Sequence, residues 1–276
     1  MSEVPWAEPR DVSNLDECHF YHTMDIPGHG LVRGEWDLRG REAAYLGHVE
    51  LAGKRVLEVG TASGHMCFAM ERMGAEVVAY DLSERQEWDI VPFAGVDVSG
   101  LITARKQHIR KLNNGYWLAH GAFRSAAKVV YGSVYDVPQG IGTFDVCTLG
   151  SILLHLRDPF LALQRITAHV RDTVIVTDVT SKPGLPAVIY NLLGAFETLA
   201  GIRLMRFVPN AARQSPLDTW WVLRPRTIAE FLGVLGFADT RVSYSRQRHG
   251  SRELRCFTVR SRKSAGAQFR LRRTVK

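Results

Sequence analysis

Glu58-Val59-Gly60-Thr61-Ala62-Ser63-Gly64, preceded by Val56-Leu57 and followed by His65-Met66-Cys67-Phe68-Ala69-Met70, decides how this chain folds. Val56 to Val59 is a short apolar run and reads as a buried strand. Gly60 and Gly64 punctuate the loop after it, and the pattern predicts a helix from about His65 to Met73, stopped by Gly74. Glu76-Val77-Val78-Ala79-Tyr80 reads as a second strand, with Asp81 at its C-terminal end. Taken singly, the glycines suit an ordinary strand-to-helix turn and Asp81 suits a helix cap. Their joint spacing says more. Glycine lets the backbone turn sharply and pass close to a ligand. A carboxylate closing the second strand can accept hydrogen bonds from both hydroxyls of an adenosine ribose. Loop and acid together point to an adenosine-containing cofactor.

Working outward, residues 84 to 127 hold a proline, several glycines and a helical stretch near Ala104 to Leu112. That is longer than a usual connection and is expected to build structure beside the site. Lys128 to Tyr131 and Phe144 to Leu149 read as strands, Pro159 to Val170 as a helix, and Thr173 to Thr177 as a fifth strand. Residues 183 to 223 look inserted, with an apolar helix around Ala187 to Leu199 that suits a cover over the site or a second subunit. Arg226 to Leu235 reads as a helix ended by Gly236, with strands near Thr240 to Tyr244 and Leu254 to Val259. Strands alternating with helices indicate a doubly wound α/β sheet. Such a sheet binds its ligand at the C-terminal strand edge, where strand order reverses.

The 276 residues are 46% apolar and 23% charged, which excludes extensive disorder. No run approaches the roughly 18 to 20 uncharged apolar residues of a membrane span, and Met1 to Pro5 does not read as a secretion signal. Cys18, Cys67, Cys147 and Cys256 are widely spaced without a metal pattern, so a reduced cytoplasmic protein without a metal site is expected. The net charge of +7 is uneven: from Arg241 onward twelve Lys or Arg face one acid, while the rest holds 23 basic against 27 acidic groups. A basic tail can track phosphates. Arginine nevertheless outnumbers lysine 28 to 7 along the chain, and Arg246, Arg248, Arg252 and Arg255 suit the solvent face of a terminal hairpin. Nucleic acid is the less favoured partner on this reading.

The loop departs from the dinucleotide pattern G-x-G-x-x-G, because Ala62 stands where the middle glycine would be. It resembles instead the first motif of class I S-adenosylmethionine-dependent methyltransferases, E/D-x-G-x-G-x-G, with Ala62 as the departure. The resemblance covers roughly residues 20 to 260. It implies a seven-stranded Rossmann-like sheet, mostly parallel with an antiparallel C-terminal hairpin, and S-adenosylmethionine as cofactor. Residues 1–50 would form an N-terminal lid segment, 51–260 the methyltransferase domain with insertions at about 84–127 and 183–223, and 261–276 a basic tail. The cofactor residues implied are Glu58, Gly60, Thr61, Ala62, Ser63, Gly64, Asp81, Leu82, Ser133, Val134, Gly150 and Ser151. Glu58 would orient the loop or the methionine ammonium, and Ser133 would meet the adenine amino group.

Within that family the chain looks like the branch of tRNA wobble-uridine (carboxy)methyltransferases and their small-molecule relatives. The resembling pieces are Tyr21-His22-Thr23, Trp36-Asp37-Leu38-Arg39, Tyr116-Trp117-Leu118-Ala119-His120, His155-Leu156-Arg157-Asp158-Pro159, Trp220-Trp221, Pro225 and Gly236-Phe237. Carboxymethyl-transferring members carry a tyrosine where Leu154 stands here, so plain S-adenosylmethionine is expected. Residues 1 to 19 hold five acids against one arginine, which counts against tRNA. The expected acceptor is therefore a small molecule, a specialised metabolite or sugar methylated on oxygen or nitrogen, with a tRNA-modifying enzyme as the alternative. His155, leaving the fourth strand, is the candidate base. A structural histidine tying the loop to the backbone is its competing reading. His22, Arg39, Trp117, Trp220 and Trp221 are candidate acceptor-binding residues, and either a monomer or a homodimer is compatible.

Overall fold

The computed structural model describes residues 6–180, 192, 202–264 and 270–273. Its centre is a nine-stranded sheet. Five parallel strands lie in the order β6 (Lys128–Tyr131), β5 (Glu76–Asp81), β4 (Arg55–Val59), β7 (Phe144–Gly150) and β8 (Val170–Val179). Beyond β8 comes β12 (Arg252–Arg262), antiparallel to it, and then β11 (Asp239–His249), antiparallel to β12. These seven are the expected sheet with its C-terminal hairpin. Two further strands pair with β11: β3 (Trp36–Asp37) and β13 (Arg270–Arg273). Arg270 to Arg273, within the segment expected as a basic tail, thus belongs to the sheet.

The parallel strands are buried on both faces, which is why they read as near-continuous apolar runs. Register shows how the layers divide. Leu57 lies between Val78 and Cys147, whereas Val56 lies between Val77 and Val146. The first trio packs with α4 (Pro159–Thr167) and α5 (Pro225–Val234), through Leu163, Ile166, Ile228 and Leu232. The second packs with α2 (His65–Arg72) and α3 (Ser99–Phe123), through Met66, Phe68, Met70, Tyr116 and Trp117. Each of these large side chains contributes roughly 1.5–3 kcal/mol on burial. Asp158 caps α4, its carboxylate accepting from Leu161 N at 2.9 Å, with Pro159 in the first turn.

The helix expected over Ala104 to Leu112 is longer than its sequence suggests, 25 residues from Ser99. Its buried residues run from Ile109 to Ala119. The segment before the sheet adds a small hairpin of β1 (Met24–Ile26) and β2 (Gly30–Val32), then β3 and the short helix α1 (Glu42–Tyr45). The remaining pair, β9 (Met205–Phe207) and β10 (Trp221–Leu223), forms a separate antiparallel ribbon. The helix expected around Ala187 to Leu199 lies outside the described residues, except for Leu192. Among the described residues no helix is long and apolar enough to cross a membrane. Arg246, Arg248, Arg252 and Arg255 are all exposed on the β11–β12 hairpin.

Candidate active site

Strand order reverses between β4 and β7, where Val59, the last residue of β4, is the register partner of Leu149, one residue short of the end of β7. Gly60 and Gly150 follow side by side, and a solvent-open cleft of about 1160 Å³ begins there. The loop after β4 is held by left-handed backbone at Gly60 (φ 78°), Ala62 (φ 50°) and Gly64 (φ 89°). A Cβ on Gly60 would collide with the Ile152 side chain, and one on Gly64 would come within 2.6 Å of Phe68. Ala62 tolerates the same region with a methyl group. Its N–H donates to Asp81 Oδ2 at 2.7 Å, and Leu82 N–H donates to Oδ1 at 2.7 Å. Burial pushes the Asp81 carboxyl up to about 6, and these two bonds hold it from rising further.

Nine of the expected cofactor and catalytic residues line this cleft: Gly60, Ala62, Asp81, Leu82, Ser133, Val134, Gly150, Ser151 and His155. Glu58 instead faces an inner recess that opens from the same glycines and is walled by Tyr21, His22, Trp36 and Tyr45. Thr61 Oγ1 donates to Glu58 Oε2 at 2.6 Å, while burial pushes the Glu58 carboxyl up to about 8, with the Asp81 charge adding to the rise. Ser63 lies behind the loop. Its hydroxyl accepts from Tyr21 N and His22 N at 3.2 and 3.4 Å, fastening the N-terminal segment to the loop. Ser133 Oγ accepts from Tyr135 N at 3.2 Å and caps its own turn.

His155 ends a single 3-10 turn, Leu153–His155, directly after β7. Its Nδ1 meets the Asp218 carbonyl oxygen, and its ring packs edge-on against Trp88, with centroids 5.8 Å apart. A ring nitrogen facing a carbonyl oxygen carries the proton, so the neutral imidazole has its lone pair on Nε2. The tie to the backbone therefore also sets which ring nitrogen is the basic one.

The expected acceptor-binding residues are not brought together. Trp117 sits in the core, donating to Tyr131 OH at 2.9 Å. Arg39 is held by Asp37 at 2.8 Å and Asp25 at 2.7 Å, and it lines a separate outer hollow with Glu42 and His65. Trp220 and Trp221 stand behind the cleft rather than in it, donating to the carbonyls of Asp89 (2.7 Å) and Arg157 (3.1 Å). His22 lines the inner recess. Its ring is 5.8 Å from that of His65, its Nδ1 has no partner, and burial with the neighbouring His65 lowers it to about 3. His120, which ends the Tyr116–His120 stretch of the resemblance, faces the Ala127 carbonyl at 3.0 Å.

What the sequence does not signal is the rest of the lining. The loop between β5 and α3 contributes Trp88 and Asp89, and Tyr21, His108, Tyr135 and Ile152 also line the cleft. Asp89 is the fastening point: its carboxylate accepts from Tyr135 OH and from Arg157 N at 2.7 Å. The one clue available was the length of the 84–127 insertion.

A family model described as a methyltransferase domain matches residues 36–234, most of the chain. The chain belongs to the class I S-adenosylmethionine-dependent methyltransferases. The N-terminal domain of EvdMO1, crystallised in the presence of S-adenosylhomocysteine and D-fucose, shares this methyltransferase's fold. They have 16% identity and a TM-score of 0.51 over 91% of this chain and 93% of that one. The 1,6-didemethyltoxoflavin-N1-methyltransferase of Burkholderia thailandensis gives 17% identity over 83% and 78%, with a TM-score of 0.48. Human N-acetylserotonin methyltransferase gives 14% over 83% and 53%, with a TM-score of 0.47. No curated protein matches the methyltransferase in sequence. Among its described residues, no three His, Cys, Asp or Glu side chains are grouped to hold a metal ion.

Proposed function

We propose that this methyltransferase transfers a methyl group to an oxygen or nitrogen of a small-molecule acceptor, with His155 receiving the acceptor's proton. The residues present fit S-adenosylmethionine. Asp81 offers carboxylate oxygens to the ribose at the cleft wall. Leu82, Ser133 and Val134 border the adenine end, and bare Gly60 and Gly150 let the chain pass close at the strand switch point. The inner recess, with Glu58 and the hydroxyl-bearing Tyr21, Tyr45 and Ser151, suits the amino-acid end. When bound, the cofactor supplies a methyl group on a positively charged sulfur. The protein's share is to orient the acceptor, exclude water and take a proton.

The observation that carries the reading is the Nδ1 tie of His155 to the Asp218 carbonyl at the edge of the cleft. It points the imidazole and fixes which nitrogen is basic. A cleft bordered by Trp88 and Asp89 favours a small acceptor, a specialised metabolite or sugar. Four unpaired thiols suit a reducing, cytoplasmic setting.

The tRNA-modifying alternative draws on one feature. Arg272, Arg241 and Arg260 are register partners across β13, β11 and β12, a row of like charges that suits a phosphate backbone. Incubating the enzyme and methyl-labelled cofactor with a cell extract, then separating small molecules from RNA, tests the choice. Label in the small-molecule fraction that is lost in His155→Gln is the expected result. Label in RNA, with salt-sensitive RNA binding lost in Arg241→Glu, would overturn it.

A further inference from the structure

We propose that Arg105, on α3 and outside the cleft lining, is the positioning residue for His155. The inference rests on the reading of His155 as proton acceptor. Four side chains from four separate segments close a circuit of contacts. The Arg105 guanidinium pairs with the Asp218 carboxylate and lies over the Trp88 ring, 5.0 Å from its centroid. His155 bonds the carbonyl of the same Asp218 and packs against the same Trp88 ring. Arg105 touches His155 by neither route directly, yet it holds two of the groups that contact its ring.

The segment between β9 and β10 that carries Asp218 has no ladder of its own at that point. Backbone bonds from Val91 N to Leu217 O (2.8 Å) and from Trp220 N to Leu154 O (2.9 Å) anchor it on either side. Between them the Asp218 carboxylate accepts from Thr219 Oγ1 at 3.4 Å and pairs with Arg105, so the guanidinium bears on the orientation of the Asp218–Thr219 peptide. A planar guanidinium suits both tasks at once, gripping a carboxylate with its N–H edge and covering an indole with its face. Both partners are half-buried, with side-chain exposures of 28% and 30%, so the pair is less screened than a surface bridge.

Charge adds a second consequence. Glu87, Asp89 and His108 line the cleft with His155, and Asp218 adjoins it. An Asp218 carboxylate without its cation would favour the imidazolium form and occupy the nitrogen that has to accept a proton. Arg105 neutralises that carboxylate.

The test combines imidazole nitrogen NMR of the full chain with single-turnover methyl transfer to whichever acceptor the labelling experiment identifies. In Arg105→Gln the Nδ1–H tautomer signature of His155 is expected to fade and its titration midpoint to move upward. Binding of S-adenosylhomocysteine should stay within about twofold, since Arg105 does not line the cleft, while transfer falls roughly tenfold or more. Arg105→Lys, which keeps the charge, should restore the midpoint but only part of the transfer rate. Asp218→Asn combined with Arg105→Gln should cancel the upward move. If the His155 signals in both single variants match the wild type, the proposal fails. Wild-type transfer in His155→Gln, alongside altered imidazole signals in Arg105→Gln, would instead remove the proton-acceptor reading and leave the circuit standing.

Discussion

The backbone N–H of Ala62 donates to Asp81 Oδ2 at 2.7 Å, so the turn after β4 and the acid closing β5 are one unit. The same carboxylate that suits a ribose already sets the loop, and its oxygens retain further lone pairs for hydroxyl donors.

Asp81→Ala is accordingly expected to weaken binding of S-adenosylhomocysteine by about 1–3 kcal/mol, the range for leaving buried partners unsatisfied. Because burial holds this carboxyl near 6, wild-type affinity should be flat above neutral pH and fall as the pH drops through that value. Calorimetry across pH checks both statements. Unchanged affinity in the variant would remove Asp81 from the ribose.

Glu58 predicts a conflict between stability and binding. Its carboxyl titrates near 8 in the folded protein against an ordinary value of 4.5. Between those values the folded state holds more protons than the unfolded one, so its contribution to stability is lost as pH rises from about 4.5 through 8. Glu58→Gln cannot ionise and keeps an acceptor for Thr61. It should melt on the order of 5 °C above wild type at pH 8.5, with the gap closing toward pH 5, while binding the cofactor product more weakly. Thermal scans at the two pH values decide it: a variant that melts below wild type at pH 8.5 would show that Glu58 is stabilising in its charged form.

Ala62 occupies the left-handed region that its family fills with glycine. A methyl group is tolerated, but a β-branched side chain is not. Ala62→Val should lower the unfolding free energy by about 1–2 kcal/mol and loosen the bond to Asp81. Ala62→Gly should lie within roughly 0.5 kcal/mol of wild type, because relief of strain and the added freedom of the unfolded chain oppose each other. Denaturant midpoints of the two variants measure this directly.

The parts of the fold legible in the sequence were those set by local pattern. Buried parallel strands show as apolar runs, and Gly60, Gly64 and Asp81 lie within one β-loop-α-β unit, so their spacing carries the geometry. Helix α3 was legible only in part. It contains Gly100, Gly115, Gly121, Asn113 and Asn114, all weak helix formers, and is sustained by packing: Gly115 passes so close to the His19 carbonyl that a Cβ would lie 2.6 Å from it. Trp117, expected among the acceptor-binding residues, is packed in the core by the same helix. Arg39 had its partner Asp37 two residues away, a local satisfaction the sequence did display. The cleft lining from the β5–α3 loop and the His155 circuit are not legible, since Arg105 on α3 and Asp218 on a loop without periodicity are 113 residues apart.

His22 carries the last expectation, because it was singled out for an acceptor and the fold gives it a different physical burden. It sits buried beside His65, with no hydrogen-bond partner at Nδ1, and burial lowers it to about 3 from an ordinary 6.5. Unfolded chains take up a proton there between those values and the folded protein does not, so stability falls as the pH drops from 6.5 toward 3. His22 also lies on the segment tied to the glycine turn through Ser63. Acid should thus release the N-terminal segment and the loop together. His22→Gln, which stays neutral, is expected to hold its melting temperature between pH 6.5 and pH 4 better than wild type. Its near-neutral stability should be equal or slightly lower. Parallel acid titrations of the two proteins would show it, and identical acid limbs would mean that other buried groups set the transition.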